Sequence, residues 1–274
     1  MATNKSDRRG SEPHEAYILQ SHDWSESSLI LETFTRQLGR LTIAAKGAKR
    51  PYSQLRSVLR PFQRIKVQLN RRPTPTSHTQ IDGLRHAEWM GNSAIVMGDR
   101  LFSGFYLNEL LLKFVPHEEP HLLLFDAYAA TLHELPLANS ESDLQALLRA
   151  FEFRLLREMG YLPDLSLETL SHQPIDSEKH YGLQADCGLT AANSHTSKTL
   201  GSGLKLLGSF WLELEAALQH GTMLPLKTAC MSSLPVVKII SRALIQAHLG
   251  RYAMHSRDVY ADILHFHEIN RSSL

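Results

Sequence analysis

The sequence predicts an α+β protein, a small five-stranded barrel followed by an all-helical domain that carries an irregular insertion. Three observations predict it. Apolar residues recur with a strand-like period of two up to about Trp89 and with a helical period after Gly91. The first part runs in the order three strands, short helix, two strands, which is the order of an OB-fold, a barrel that commonly binds oligonucleotides. The charge also divides there: residues 1–90 carry 15 Lys or Arg against 8 Asp or Glu, and residues 91–274 carry 14 against 20, although the whole chain is only +1. The expected division is therefore an unpacked N-terminus at 1–13, a barrel at 14–90 and a helical domain at 91–274 with the insertion at about 163–203.

The elements follow in order. "MATNKSDRRGSE" offers little to pack and reads as a disordered start. The segments "EAYILQS", "SSLILETFT", "RLTIAAK", "FQRIKVQLN" and "TQIDGLRHAEW" are short, rich in branched or aromatic residues, and separated by turn-formers such as Gly39, Gly47 and "RRPTPTS". In the fourth, Ile65, Val67 and Leu69 alternate with Arg64, Lys66, Gln68 and Asn70, so one face packs and the other is cationic. Between strands three and four, Leu55, Val58 and Leu59 share a helical face that Pro61 ends.

Beyond Gly91, "NSAIVMGDRLFSGFYLNELLLKFVP" is apolar nearly all round, as suits a buried helix. "ESDLQALLRAFEFRLLREMG" spaces Leu144, Leu148, Phe151, Leu155 and Met159 by three or four residues and ends at Gly160. "SSLPVVKIISRALIQAHLG" has Pro235 near its start and Gly250 at its end, the usual bounds of a capped helix. Residues 163–203 fit neither period and read as an irregular insertion or a weak β excursion.

Several function classes lose support. No apolar run approaches the roughly 18–20 residues that cross a bilayer, and the N-terminus lacks the apolar centre of a signal peptide, so a cytoplasmic protein without membrane contact is expected. Cys187 and Cys230 are far apart and outside any CxxC spacing, so neither a disulfide framework nor a cysteine-rich metal site is indicated. "HEEPH", His117 to His121, satisfies the letters of the zinc-protease motif, but Pro120 disrupts the helix on which the two histidines would share a face. "HFHE", residues 265–268, has no further ligand at a recognisable distance, and Cys187 has no base or oxyanion site beside it. With no nucleophile elbow, phosphate loop or dinucleotide fingerprint, nothing names an enzyme, a cofactor or a metal.

The cations carry the functional expectation. From Thr33 to Ile81 eleven Lys or Arg meet no Asp or Glu, so a polyanionic partner is expected to offset them. Phe34, Tyr52 and Phe62 are interleaved with Arg36, Lys49, Arg50 and Arg60, and a cationic groove with aromatic platforms suits single strands, whose phosphates pair while their bases stack. Phe34 and Phe62 are better placed in the core than Tyr52. No base-reading element is visible, so binding should be largely indifferent to sequence. The same charge pattern fits an RNA-binding or translation-associated OB-fold protein.

Longer motifs add to this. "WSESSLILETFTRQLGRLTIAAKGAKRP", then "LRPF", "SGFYLNELLLKFVPHEEPHLLLFDAY" and "LLRAFEFRLLREMGY" resemble the RecO family of bacterial recombination mediators from about Tyr17 to Tyr161, and "HLGRYAMHSRDVY" resumes the likeness at 248–260. The resemblance implies an OB-fold followed by helices, and a non-enzymatic function. Such proteins bind and anneal single-stranded DNA and, with RecR, help displace single-strand DNA-binding protein so that RecA can load. It implies a DNA-binding face at Arg36, Arg40, Lys46, Lys49, Arg50, Arg56 and Arg60; Tyr52, Arg64 and Lys66 join them on the residue pattern. It implies a site on the helices for the acidic, apolar tail of single-strand DNA-binding protein, for which Arg149 with Phe151 and Leu155 is the candidate. Some members carry a four-cysteine zinc module; only Cys187 falls in the matching region, about 165–189, so a module that persists without metal is expected.

Overall fold

The computed structural model describes residues 12–70, 81–91, 96–191 and 204–250, with Met254 and Ser256. Among them two compact units separate, one up to Pro136 together with Met254 and Ser256, the other from Leu137 to Gly250.

Strands β1 (His14–Asp23), β2 (Leu29–Thr35), β3 (Gly39–Ala45), β4 (Ile65–Asn70) and β5 (Ile81–Trp89) close a barrel in the order β1-β2-β3-β5-β4, with β4 returning to β1. Every pairing is antiparallel except β3 with β5, which run parallel with Thr42 opposite Ile81. The alternation in β4 is as expected: Ile65, Val67 and Leu69 are buried while Lys66 and Gln68 are half-buried and Asn70 is exposed. They meet Ile18, Leu31, Leu41 and Ile43 inside the barrel, and α1 (Leu55–Val58) lays Leu55 and Val58 against that core. This arrangement is the predicted OB-fold.

The outer face of β1 and β2 is apolar as well. Tyr17, Leu19 and Phe34 point away from the barrel interior yet are at most 4% exposed, because α2 (Arg100–Phe114) and α3 (Leu122–Glu134) belong to the same compact unit. The Tyr17 ring meets Phe125 at 5.4 Å and Tyr128 edge-on at 5.0 Å, and Phe34 meets Phe125 at 5.4 Å. A bulge in β1 shifts the register between Ile18 and Gln20, and the Leu19 carbonyl there accepts a 2.8 Å hydrogen bond from Asn108 Nδ2. Tyr128 donates its hydroxyl to Asn108 Oδ1; burial pushes that phenol well above its ordinary pKa, which keeps the donor proton in place. The boundary expected at residue 90 falls inside this unit, since a barrel ending there would leave Tyr17, Leu19 and Phe34 uncovered.

Phe62 is one of few non-glycine residues with positive φ, 67°. The turn aims its ring at Gly104 of α2, where an added Cβ would sit 2.8 Å from the ring edge. The helix expected across 92–116 spans only Arg100–Phe114, preceded by Gly98 at φ 58°; residues 92–95 lie outside the described set.

In the second unit, α4 (Glu141–Glu158) starts at Ser140, whose hydroxyl accepts from Asp143 N at 3.0 Å, and ends before Gly160 at φ 75°. A three-stranded sheet follows, β6 (His180–Gln184), β7 (Gly188–Ala191) and β8 (Leu206–Leu207), in the order β7-β6-β8. This is the β excursion expected within 163–203; residues 192–203 lie outside the described set. Thr169 ties the hairpin down, donating N–H to Leu189 O and accepting from Leu189 N, both at 2.8 Å. Helices α5 (Gly208–His220) and α6 (Met223–Ser232) were not singled out by the sequence pattern. Helix α7 (Leu234–Leu249) has Pro235 in its first turn and Gly250 after its end, as expected. Trp211 of α5 is fully buried and donates to Tyr181 O at 3.2 Å. Arg157 of α4 grips Glu215 of α5 with two bonds of 2.9 and 2.6 Å.

Candidate nucleic-acid interface

Register places the site. Asp23 at the end of β1 faces Leu29 at the start of β2, and Leu29 faces Ala45 at the end of β3. The β1–β2 loop, residues 24–28, therefore lies at the same end of the barrel as the chain leaving β3. That chain makes two successive turns, Arg50 N to Gly47 O at 3.2 Å and Ser53 N to Arg50 O at 3.0 Å, before α1. Ala48 and Leu59 anchor it, 1% and 7% exposed. The anchors are apolar, so the long polar side chains between them face outward: Lys46, Arg50, Arg56 and Arg60 are exposed, and Tyr52 is 99% exposed. None of these four cations forms an ion pair among the described residues.

The other predicted contacts are differently engaged. Arg36 holds Asp126 of α3 through Nε and Nη2, each at 2.9 Å. Arg40 lies 3.6 Å from Glu32 and is only 15% exposed; burial pulls its guanidinium below the ordinary pKa. Lys49 reaches Asp23 at 2.8 Å and the Ser25 carbonyl at 3.3 Å. Arg64 pairs with Glu15. Among the described residues Lys66 forms no ion pair, but Glu15 and Glu88 stand directly opposite it on the two neighbouring strands, which offsets its charge across the sheet. The expectation of an uncompensated run is corrected accordingly: the anions are absent from the sequence segment but arrive in space from β1, β2, β5 and α3. Phe34 and Phe62 are core residues, 0% and 7% exposed, and Tyr52 is the free ring.

The residues expected to form a docking patch on the helices lie inside the second unit. Arg149 is 2% exposed, and Phe151 and Leu155 are fully buried. Arg149 Nη2 sits 2.7 Å from Glu152, itself fully buried, while Arg149 Nε and Nη1 have no partner. Helix α4 is enclosed by α6 and α7, so the three residues form core and not surface.

The "HEEPH" residues do not share a helix. His117 turns to Glu32 at 3.8 Å and His121 to Glu119 at 3.8 Å, and α3 begins only at Leu122. Among the described residues no three His, Cys, Asp or Glu gather as a metal site would require. Burial and Asp186 push the Cys187 thiol above its ordinary pKa, the wrong direction for a nucleophile. "HFHE" lies outside the described residues. Among those residues, too, no single helix is long and apolar enough to cross a membrane.

One residue escaped the sequence reading. Trp24, in the β1–β2 loop, is 54% exposed beside the cationic segment. The signal was available: in "SHDWSES" a tryptophan has polar neighbours on both sides and no apolar face to join.

The chain thus combines an OB-fold barrel, with a cationic, ring-bearing loop at one end, and a helical unit. The comparisons specify it further. The family profile "Recombination protein O N terminal" matches residues 12–91, and "Recombination protein O C terminal" matches 97–258. The DNA repair protein RecO of Polaromonas sp. (strain JS666 / ATCC BAA-500) is 40% identical over 264 residues, covering 96% of this chain and 99% of that protein. The RecO proteins of Polaromonas naphthalenivorans (strain CJ2) and Acidovorax ebreus (strain TPSY) are each 39% identical, covering 94% and 90% of this chain and 98% and 95% of theirs. The chain belongs to the RecO family of DNA repair proteins.

Proposed function

We propose that this protein is a recombination mediator that binds and anneals single-stranded DNA and, with RecR, helps displace single-strand DNA-binding protein so that RecA can load, acting in the cytoplasm on nucleoid DNA. The observation that carries the reading is the segment from Lys46 to Arg60, where four unpaired cations and an almost fully exposed tyrosine occupy one end of an OB-fold barrel. Annealing brings two polyanions together. A surface that neutralises phosphates while leaving base edges free lowers that repulsion without any covalent step, so no catalytic residue or cofactor is required. Four phosphate contacts on a single strand correspond to a slope of about −2.8 on a log-log plot of affinity against salt.

The acidic tail of single-strand DNA-binding protein remains the proposed ligand of the helical unit, with Arg149 as its anchor. The support is that two nitrogens of that guanidinium, Nε and Nη1, have no partner among the described residues, and a carboxylate would provide one. Access would require the surrounding side chains to move.

The test is annealing of complementary strands with and without single-strand DNA-binding protein bound. A mediator anneals the coated strand; a protein active only on bare DNA, or one that prefers RNA of the same length in competition, is not one.

A further inference from the structure

We propose that Trp24 is a base-stacking platform for the bound strand, and that Lys49 positions the Trp24 loop instead of contacting phosphate. The proposal deepens the single-strand-binding reading and rests on it. Trp24, the first residue of the polar β1–β2 loop, is 54% exposed and does not belong to the barrel core cluster. Such a ring next to unpaired cations is the arrangement single-strand grooves use, and the register described above puts it there.

The loop is held in place by the cationic segment itself. Within it, Trp24 N and Ser25 N both donate to Ser28 O, at 3.1 and 3.4 Å. Across to the neighbouring segment, Lys49 N donates to Ser27 O at 3.0 Å, Lys49 Nζ to Ser25 O at 3.3 Å, and the same ammonium pairs with Asp23 at 2.8 Å. Lys49 thus makes three contacts to residues flanking Trp24, and its charge is already matched. The loop carries Glu26 and follows Asp23 at the end of β1, both exposed, so it has no positive charge to offer a phosphate. What it presents is a ring. The charge comes from Lys46, Arg50, Arg56 and Arg60, and Tyr52 supplies a second exposed ring on that segment.

The experiment uses the full chain with Trp24→Ala, Trp24→Phe and Lys49→Gln, titrated with oligo-dT and with an abasic oligomer of equal length at several salt concentrations. Trp24→Ala is expected to weaken oligo-dT binding about ten-fold while leaving abasic binding and the salt slope unchanged; Trp24→Phe keeps most of the affinity. Trp211 is buried, so quenching of tryptophan fluorescence by oligo-dT should fall sharply in Trp24→Phe, leaving Trp89 as the remaining exposed indole. Lys49→Gln should cost a few-fold on oligo-dT with no change of slope. Equal losses on both oligomers, or none, overturn the stacking role, and a slope shallower by about 0.7 in Lys49→Gln makes it a phosphate contact after all. If the unaltered protein shows no salt-dependent binding to either oligomer, the single-strand reading fails and this inference with it; binding by the unaltered protein with an unaffected Trp24→Ala sinks the inference alone.

Discussion

Arg36, just after β2, and Asp126 on α3 form a two-point clamp, Nε and Nη2 each 2.9 Å from a carboxylate oxygen. The clamp raises the guanidinium pKa through those hydrogen bonds and the neighbouring negative charge. It joins barrel and helix, and it matches the charge of a cation that the sequence alone leaves uncompensated.

Two substitutions separate these roles. Arg36→Ala should leave the salt slope of DNA binding unchanged and cost about 1 kcal/mol of stability, since the pair is 34% and 48% exposed and water screens it. Asp126→Asn should instead tighten DNA binding a few-fold by releasing the Arg36 charge. Denaturant melts and salt titrations of both variants check this.

The free cations should behave differently. Arg50→Ala with Arg56→Ala should make the salt slope shallower by about 1.4 at every DNA sequence, with an unchanged unfolding midpoint, because neither residue has an ion pair to lose. Fluorescence anisotropy over a salt series measures the first quantity and thermal melting the second.

Acid stability should depend on Glu215. Burial pushes its carboxyl pKa up, but hydrogen bonds from Arg157 and from Leu165 N outweigh that, so the folded value lies below the ordinary one. The unfolded chain then binds the extra proton first. The stabilisation is complete above about pH 4.5 and is lost as pH falls through the folded value. Glu215→Gln should destabilise the helical unit by about 2 kcal/mol at pH 7, less than a fully enclosed pair because Arg157 keeps 24% of its side chain exposed. The difference from the unaltered protein should shrink at low pH, as urea melts at a series of pH values would reveal.

Arg149 and Glu152 set a condition on any test of tail capture. Arg149→Glu would put two carboxylates together in the core and should unfold the second unit, a loss that says nothing about partners. Arg149→Met alone should cost roughly 3 kcal/mol, while Arg149→Met with Glu152→Met should cost less than that single change. Tail binding is best measured in the double variant, with its melting curve beside it.

What could be read in advance was whatever depends on local period. Ile65, Val67 and Leu69 alternate because one face of their strand is inside a barrel, and the α4 stripe from Leu144 to Leu155 repeats because that face packs. Pairing between distant residues has no period. Arg36 and Asp126 are 90 positions apart, and Glu15 and Arg64 are 49 apart, so a run without acids looked uncompensated. Arg149 misled for a related reason: a single stripe implies an exposed opposite face, but α6 and α7 enclose the helix further than its own stripe requires. Tyr52 could be placed outside from its loop, and Trp24 is equally legible by its polar neighbours, but it lies outside the acid-free run that marks the cationic segment.

The bulge at Leu19 and the Asn108 amide that fills it bear on how the molecule can be divided. A fragment cut at residue 90 would bare Tyr17, Leu19 and Phe34 and strand a backbone carbonyl; it should clump when expressed alone. A fragment carried on through Pro136 takes its own lid along, and is the shorter piece with which the proposed strand binding can be tested apart from the rest of the chain.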